Sequence, residues 1–121
     1  ETALKRIEEL KHELPPDSAE SEALLFNLER AAWTAIELAN FWVFQLRLGV
    51  PRKDTEGFDI LAREGKLGID EARRLRYATE YRNLSRRPAD LIDWEHLRKN
   101  LFLDVSVLRA WCATVSGQFP S

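Results

Sequence analysis

The 121-residue chain has no methionine and a single cysteine, Cys112. One cysteine excludes an internal disulfide framework and any zinc site built from several thiolates. It is compatible with a reducing compartment. With no methionine present, Glu1 is not expected to be the natural start. No apolar run reaches the roughly 18 to 20 residues of a membrane span. No basic-then-apolar signal opens the chain, and a cytoplasmic location is the expectation. There is no phosphate-binding glycine loop, no serine elbow and no Cys–His signature. Strict alternation with hairpin punctuation is absent, so strands are not expected. Internal repeats and low-complexity stretches are absent too. Charge of one sign is lacking overall: 18 cations against 20 acids leave −2. That total offers no bulk electrostatic grip on nucleic acid or anionic lipid.

What is present is a balance of 45% apolar and 31% charged residues, which supports one packed core, and residues 1–121 are expected to form a single domain. The five glycines and five prolines fall mostly between periodic segments. Leu4, Ile7, Leu10 and Leu14 predict a short helix stopped by Pro15 and Pro16. Asp17 and Glu20 then form a capping-box pattern. A long helix to about Leu48 follows, with Leu25, Leu28, Ala32, Ile36, Ala39, Val43 and Leu46 as its stripe. About 30 residues at 1.5 Å each make about 45 Å. Phe26, Trp33, Phe41, Trp42 and Phe44 widen this stripe, which predicts burial on more than one side, by several helices or by a second subunit.

Gly49 and Pro51 are expected to end that helix. Asp54 or Thr55 caps a short one carrying Phe58, Leu61 and Ala62, closed by Gly65. Asp70 is expected to cap a fourth, with Ile69 as a hydrophobic staple and Ala72, Leu75, Ala78 and Arg82 along its stripe. Asp93 caps the fifth, in which Leu97, Leu101, Val105, Leu108, Cys112 and Val115 share a face. The fold expected is all-α, an up-and-down bundle of about five helices with one long central helix.

The small net charge hides a polarity. Residues 1–30 hold four cations against eight acids, a local −4. Residues 73–87 hold six arginines against Glu80 alone, a local +5. Arginine presents a planar pair of donors to phosphate or carboxylate and keeps its charge when desolvated. Arg82 falls on an apolar stripe, so it must be paired or line a cleft. Its pairing reading is a salt bridge to an acid such as Glu37, or a contact at the helix C-terminus. The run Arg82, Asn83, Leu84, Ser85, Arg86, Arg87 could hold an RNA backbone. Tyr77 and Tyr81 could stack bases, or form a second core stripe with Leu84. Arg73, Arg74 and Arg76 read as a solvated face paired with Asp70 and Glu80. No His, Cys or carboxylate set has metal-helix spacing, so neither a metal nor a cofactor is expected. His12 reads as surface charge, His96 as a first-turn residue of the last helix, and Cys112 as a small buried hydrophobe.

The sequence resembles the HEPN domains of the HepT type. The resemblance runs through the long helix from Asn27 to Asn40, Gly49-Val50-Pro51, Phe58 to Gly65, Tyr81-Arg82-Asn83 and Ile92-Asp93-Trp94. It implies an RNA-cleaving toxin that needs no metal, a homodimer, and a small nucleotidyltransferase antitoxin of the MNT type as partner. The family motif is Arg-Asn, three residues, His, one residue, Tyr. The arginine neutralises the scissile phosphate and the histidine exchanges the proton. Arg82 and Asn83 match its first positions, whereas Arg87 stands at the histidine and Ala89 at the tyrosine that such antitoxins modify. Arginine does not trade protons at neutral pH, so the phosphate-binding half is kept, with Arg86 and Arg87 added, and the proton-transfer half is missing. The alternative reading is therefore a catalytically inactive module that engages the antitoxin or RNA through the arginines.

Overall fold

The computed structural model describes residues 19–87 and 91–119. The expected first helix, the Asp17 cap, His12, Pro88 and Ala89 lie outside the described residues. The described residues are all-α: α1 Ala19–Gln45, α2 Glu56–Arg63, α3 Ile69–Ala78, a 3-10 segment Thr79–Arg86, and α4 Trp94–Gln118. Four of the five expected helices are therefore in place, with α1 long and central. It packs against the 3-10 segment, α2 and α4, while α3 bridges α2 and α4.

The period-3.6 stripe of α1 becomes the core. Of its members, Leu25, Leu28, Ala32, Ile36, Ala39 and Val43 are buried, whereas Leu46, past the end of the helix, is exposed; Leu24, which stood outside the stripe, is buried too. Each such leucine stabilises the fold by about 1.5–3 kcal/mol relative to exposure. From α4, Leu97, Leu101, Val105, Leu108 and Val115 face them. Trp111, which stands outside the stripe read from the sequence, is also buried. Its Nε1 donates to the Ala35 carbonyl at 2.9 Å. Its ring stacks on Trp42 at 5.8 Å and meets the edge of Phe58 at 5.6 Å. Cys112 is only half-buried at the border of this cluster.

Three helix ends differ from expectation. α1 stops at Gln45, ahead of Leu48. Arg47 takes the left-handed conformation, φ 55°, and the Leu48 amide donates to the Val43 carbonyl at 3.1 Å. This is a Schellman closure completed before Gly49 is reached. α3 begins at Ile69 with Gly68 as its cap. Asp70 lies inside its first turn, and Ile69 is 72% exposed, so no staple forms. The expected continuation of α3 to Arg87 is instead the 3-10 segment, whose backbone leaves helical geometry at Asn83, φ −126° and ψ 23°. Two caps are as expected. Gly65, φ 72°, closes α2, and Asp93 Oδ1 accepts from the His96 amide at 2.9 Å.

Among the described residues, the aromatic girdle of α1 is only partly covered. Trp42 is buried, but Phe26 is 59% and Phe44 74% exposed. The Arg30 guanidinium lies 5.7 Å from the Phe26 ring centre. α2 approaches α1 closely at Gly57, where a Cβ would stand 2.6 Å from Asn40 Oδ1.

Candidate functional site

The 3-10 segment decides where the arginines go. Tyr81 and Leu84 of the segment and Arg87 just past its end, on either side of the break at Asn83, are turned to one side, and Arg82 to another. Thr79, fully buried, bonds its hydroxyl back to the Leu75 and Arg76 carbonyls at 2.8 and 3.1 Å. This tightens the junction with α3. Leu84 and Tyr81 are buried.

Arg82 is held on the α1 side. Trp33 Nε1 donates to the Arg82 carbonyl at 2.8 Å. The guanidinium donates from Nη1 to the Thr79 carbonyl at 3.0 Å and from Nε to Asp54 Oδ2 at 3.3 Å. The acid that pairs with Arg82 is thus Asp54, from the loop before α2, and not Glu37. Nor does Arg76 meet Glu80: it pairs across to Asp59 on α2 at 3.1 Å. Arg73 does reach Asp70, at 3.7 Å.

On the opposite side, α3, the 3-10 segment and α4 enclose a cleft of about 390 Å³. Its floor is apolar, with Leu84, Ile92, Leu97 and Val107. Arg74 and Arg87 stand at its rim, together with Tyr77, His96 and Asn100. Arg82 does not line it. The structure therefore separates two residues that the sequence motif groups together, and Arg86 is exposed on the same segment. The two tyrosines also part ways. Tyr81 is core, whereas Tyr77 is 63% exposed and walls the cleft. Neither His96 nor Arg74 was singled out for this role by sequence reasoning. The only available signal was that residues 74, 77, 81 and 84 share a helical face.

Electrostatics inside the cleft are set by carboxylates already engaged with their own chain. The Tyr81 hydroxyl donates to Asp104 Oδ2. Burial pushes the Asp104 carboxyl above its ordinary range, and Glu80 adds to the rise. The Tyr81 hydrogen bond and His96 oppose it. Burial likewise drives the Tyr81 hydroxyl far above its usual value, reinforced by the hydrogen bond to Asp104 and the charges of Asp104 and Glu80. Asn100 Nδ2 donates to the His96 carbonyl at 3.0 Å and lies 3.2 Å from its Nδ1, which steadies the imidazole. Among the described residues no group of three or more His, Cys, Asp or Glu could hold a metal ion. No described helix is long and apolar enough to cross a membrane.

The fold is similar to that of solved toxin–antitoxin proteins, one of them a HEPN toxin. A solved MntA–HpeT toxin–antitoxin structure, a double mutant, superposes with a TM-score of 0.85 at 17% identity, over 96% of this chain and 90% of that one. A toxin–antitoxin structure with AMP-PNP gives 0.84 at 18% identity, with the same two coverages. The tri-AMPylated Shewanella oneidensis HEPN toxin in complex with MNT antitoxin gives 0.77 at 18%, again over 96% and 90%. No protein-family model and no curated protein sequence matches the chain.

Proposed function

We propose that the chain is the HepT-like toxin component of a toxin–antitoxin module, directed at RNA. The observation that carries this reading is the similarity of fold, over 96% of the chain, to solved toxin–antitoxin structures, one of them of a HEPN toxin. The concentration of arginine on residues 73–87 supports it. The partner in this reading is a nucleotidyltransferase antitoxin of the MNT type, as in the neighbouring complex. A homodimer is the assembly proposed. Phe26 and Phe44 are five helical turns apart on α1, and both are more than half exposed, which supports burial by a second copy. The protein is expected in the cytoplasm.

Cleavage itself has a competing reading. Arg82 is held by Asp54, Thr79 and Trp33, none of which is an imidazole, and position 87 is arginine. This favours binding of RNA or antitoxin without catalysis. The two are separated by incubating labelled single-stranded RNA with the protein in EDTA, beside Arg82→Ala. Cleavage that the variant loses supports a metal-independent nuclease. Retention without cleavage, weakened by salt, supports the binding module. Failure to retain RNA at low salt refutes the RNA-directed reading.

A further inference from the structure

The cleft between α3, the 3-10 segment and α4 has the chemistry of a site for one nucleotide unit, and it lies away from Arg82. Three features converge there. First, the floor is apolar, and the exposed ring of Tyr77 stands beside it. A flat ring system can be stacked and desolvated against such a wall, and every nucleobase has a π-face to offer. Second, two guanidiniums, Arg74 and Arg87, stand at the rim. Neither forms an ion pair with a described acid, whereas the guanidiniums of Arg73, Arg76 and Arg82 all do. Guanidinium binds phosphate oxygens through paired donors. Third, Asn100 and His96 form a polar edge held in place by their own hydrogen bonds. Base-edge and ribose hydroxyl groups need such donors and acceptors.

The negative groups of the cleft do not cancel this. Asp93 caps α4 through the His96 amide. Asp104 accepts from Tyr81 on the inner wall. Only Glu80, exposed at the rim, has no such engagement among the described residues. The volume, about 390 Å³, lies within the range of small-ligand pockets, roughly 300–1,000 Å³.

We infer that this cleft binds a nucleotide unit, with the base on Tyr77 and the apolar floor and the phosphate on Arg74 and Arg87. Arg82 braces the 3-10 segment that presents Arg87. The inference rests on the RNA-directed reading for one source of that unit, a single strand of RNA. A free nucleoside monophosphate carries the same chemistry and is the other source.

The test uses the full chain and surface residues whose loss leaves the core intact. Fluorescence anisotropy with a fluorescein-labelled single-stranded RNA 12-mer measures one arm, and calorimetric titration with AMP and UMP measures the other. Tyr77→Ala is expected to weaken RNA binding about 5- to 150-fold, the range for losing one stacked base. Arg74→Ala and Arg87→Ala are each expected to weaken it and to lower the salt slope by about one. Glu80→Gln is expected to tighten it, and Arg63→Ala, on the last turn of α2, is expected to change nothing. If RNA binds and these cleft variants bind as the wild type does while Arg82→Ala does not, the inference is overturned and the RNA-directed reading stands. If RNA does not bind but AMP or UMP binds and loses affinity in Tyr77→Ala, the cleft assignment stands and the RNA-directed reading falls. If neither source binds, both fall.

Discussion

Replacing Tyr81 by Phe removes one oxygen and keeps the ring, so core packing on that face is unchanged. What is lost is the hydroxyl that donates to the half-buried Asp104 carboxylate. A hydrogen bond to a charged group contributes about 1.5–3 kcal/mol, and the partial exposure of Asp104 lowers this to about 1–2 kcal/mol at neutral pH. The sign with pH follows from the carboxyl itself. Its native pKa is already raised by burial, so the stabilisation it contributes is present below the unfolded value and declines as pH rises through the native one. Removing the Tyr81 donor raises the native pKa further. Every unit of that rise is about 1.4 kcal/mol of additional loss above both values. Below both, Asp104 is neutral in either protein and only a neutral hydrogen bond is missing, about 0.5–1 kcal/mol. Urea unfolding at pH 7 should therefore show a midpoint lowered by roughly 1 M at an unchanged slope. At pH 4 the shift should be clearly smaller. Equal losses at the two pH values, or a larger one in acid, would refute the assignment of Tyr81 as a donor that favours the ionised form of this carboxyl.

Two further substitutions test the backbone and helix contacts. Gly57→Ala places a Cβ 2.6 Å from Asn40 Oδ1, a buried atom with no hydrogen-bond partner. A loss of about 1 kcal/mol is expected, reduced in an Asn40→Ala background, where the clash with Oδ1 is gone and the tight contact with Ala39 Cβ at 3.3 Å remains against the gain in helix propensity; a double-mutant cycle by chemical denaturation reads the coupling. Arg47→Gly should stabilise by about 0.5–1 kcal/mol, because Arg47 occupies the left-handed closing position of α1 at φ 55°, where glycine carries no Cβ penalty. Thermal unfolding with an unchanged or lowered midpoint would count against that account.

The separation of Arg82 from the cleft changes how the arginine cluster works. Arg82 touches three different parts of the chain: Trp33 of α1, the loop at Asp54, and Thr79 in its own segment. Such a residue fixes geometry as well as charge, so Arg82→Ala loses position at the 3-10 segment together with any phosphate contact. Arg74 and Tyr77 on α3 carry no comparable structural duty, since both are exposed. Substitutions there report on ligand binding with little effect on the fold.

Much of the architecture was legible in the sequence because helices announce themselves locally. The stripe from Leu25 to Val43, the cap at Asp93 and the closing glycine at position 65 depend on neighbours within about two turns, which is the reach of periodicity and capping. Even there, Arg47 took a position that sequence statistics assign to glycine, because the turn completes wherever the last carbonyls find their amides. The all-α class and the six arginines between residues 73 and 87 were likewise set by the sequence alone. Tertiary structure decided the rest. Asp54 pairs with Arg82 across 28 residues and Trp33 reaches it across 49, distances at which no local pattern speaks. The change from α to 3-10 winding at Thr79 rotates the faces of the segment, since three residues per turn replace 3.6. With that rotation and the break at Asn83, Tyr81 is buried, Arg87 stands at the rim of the cleft beside His96, and Arg82 is held on the far side.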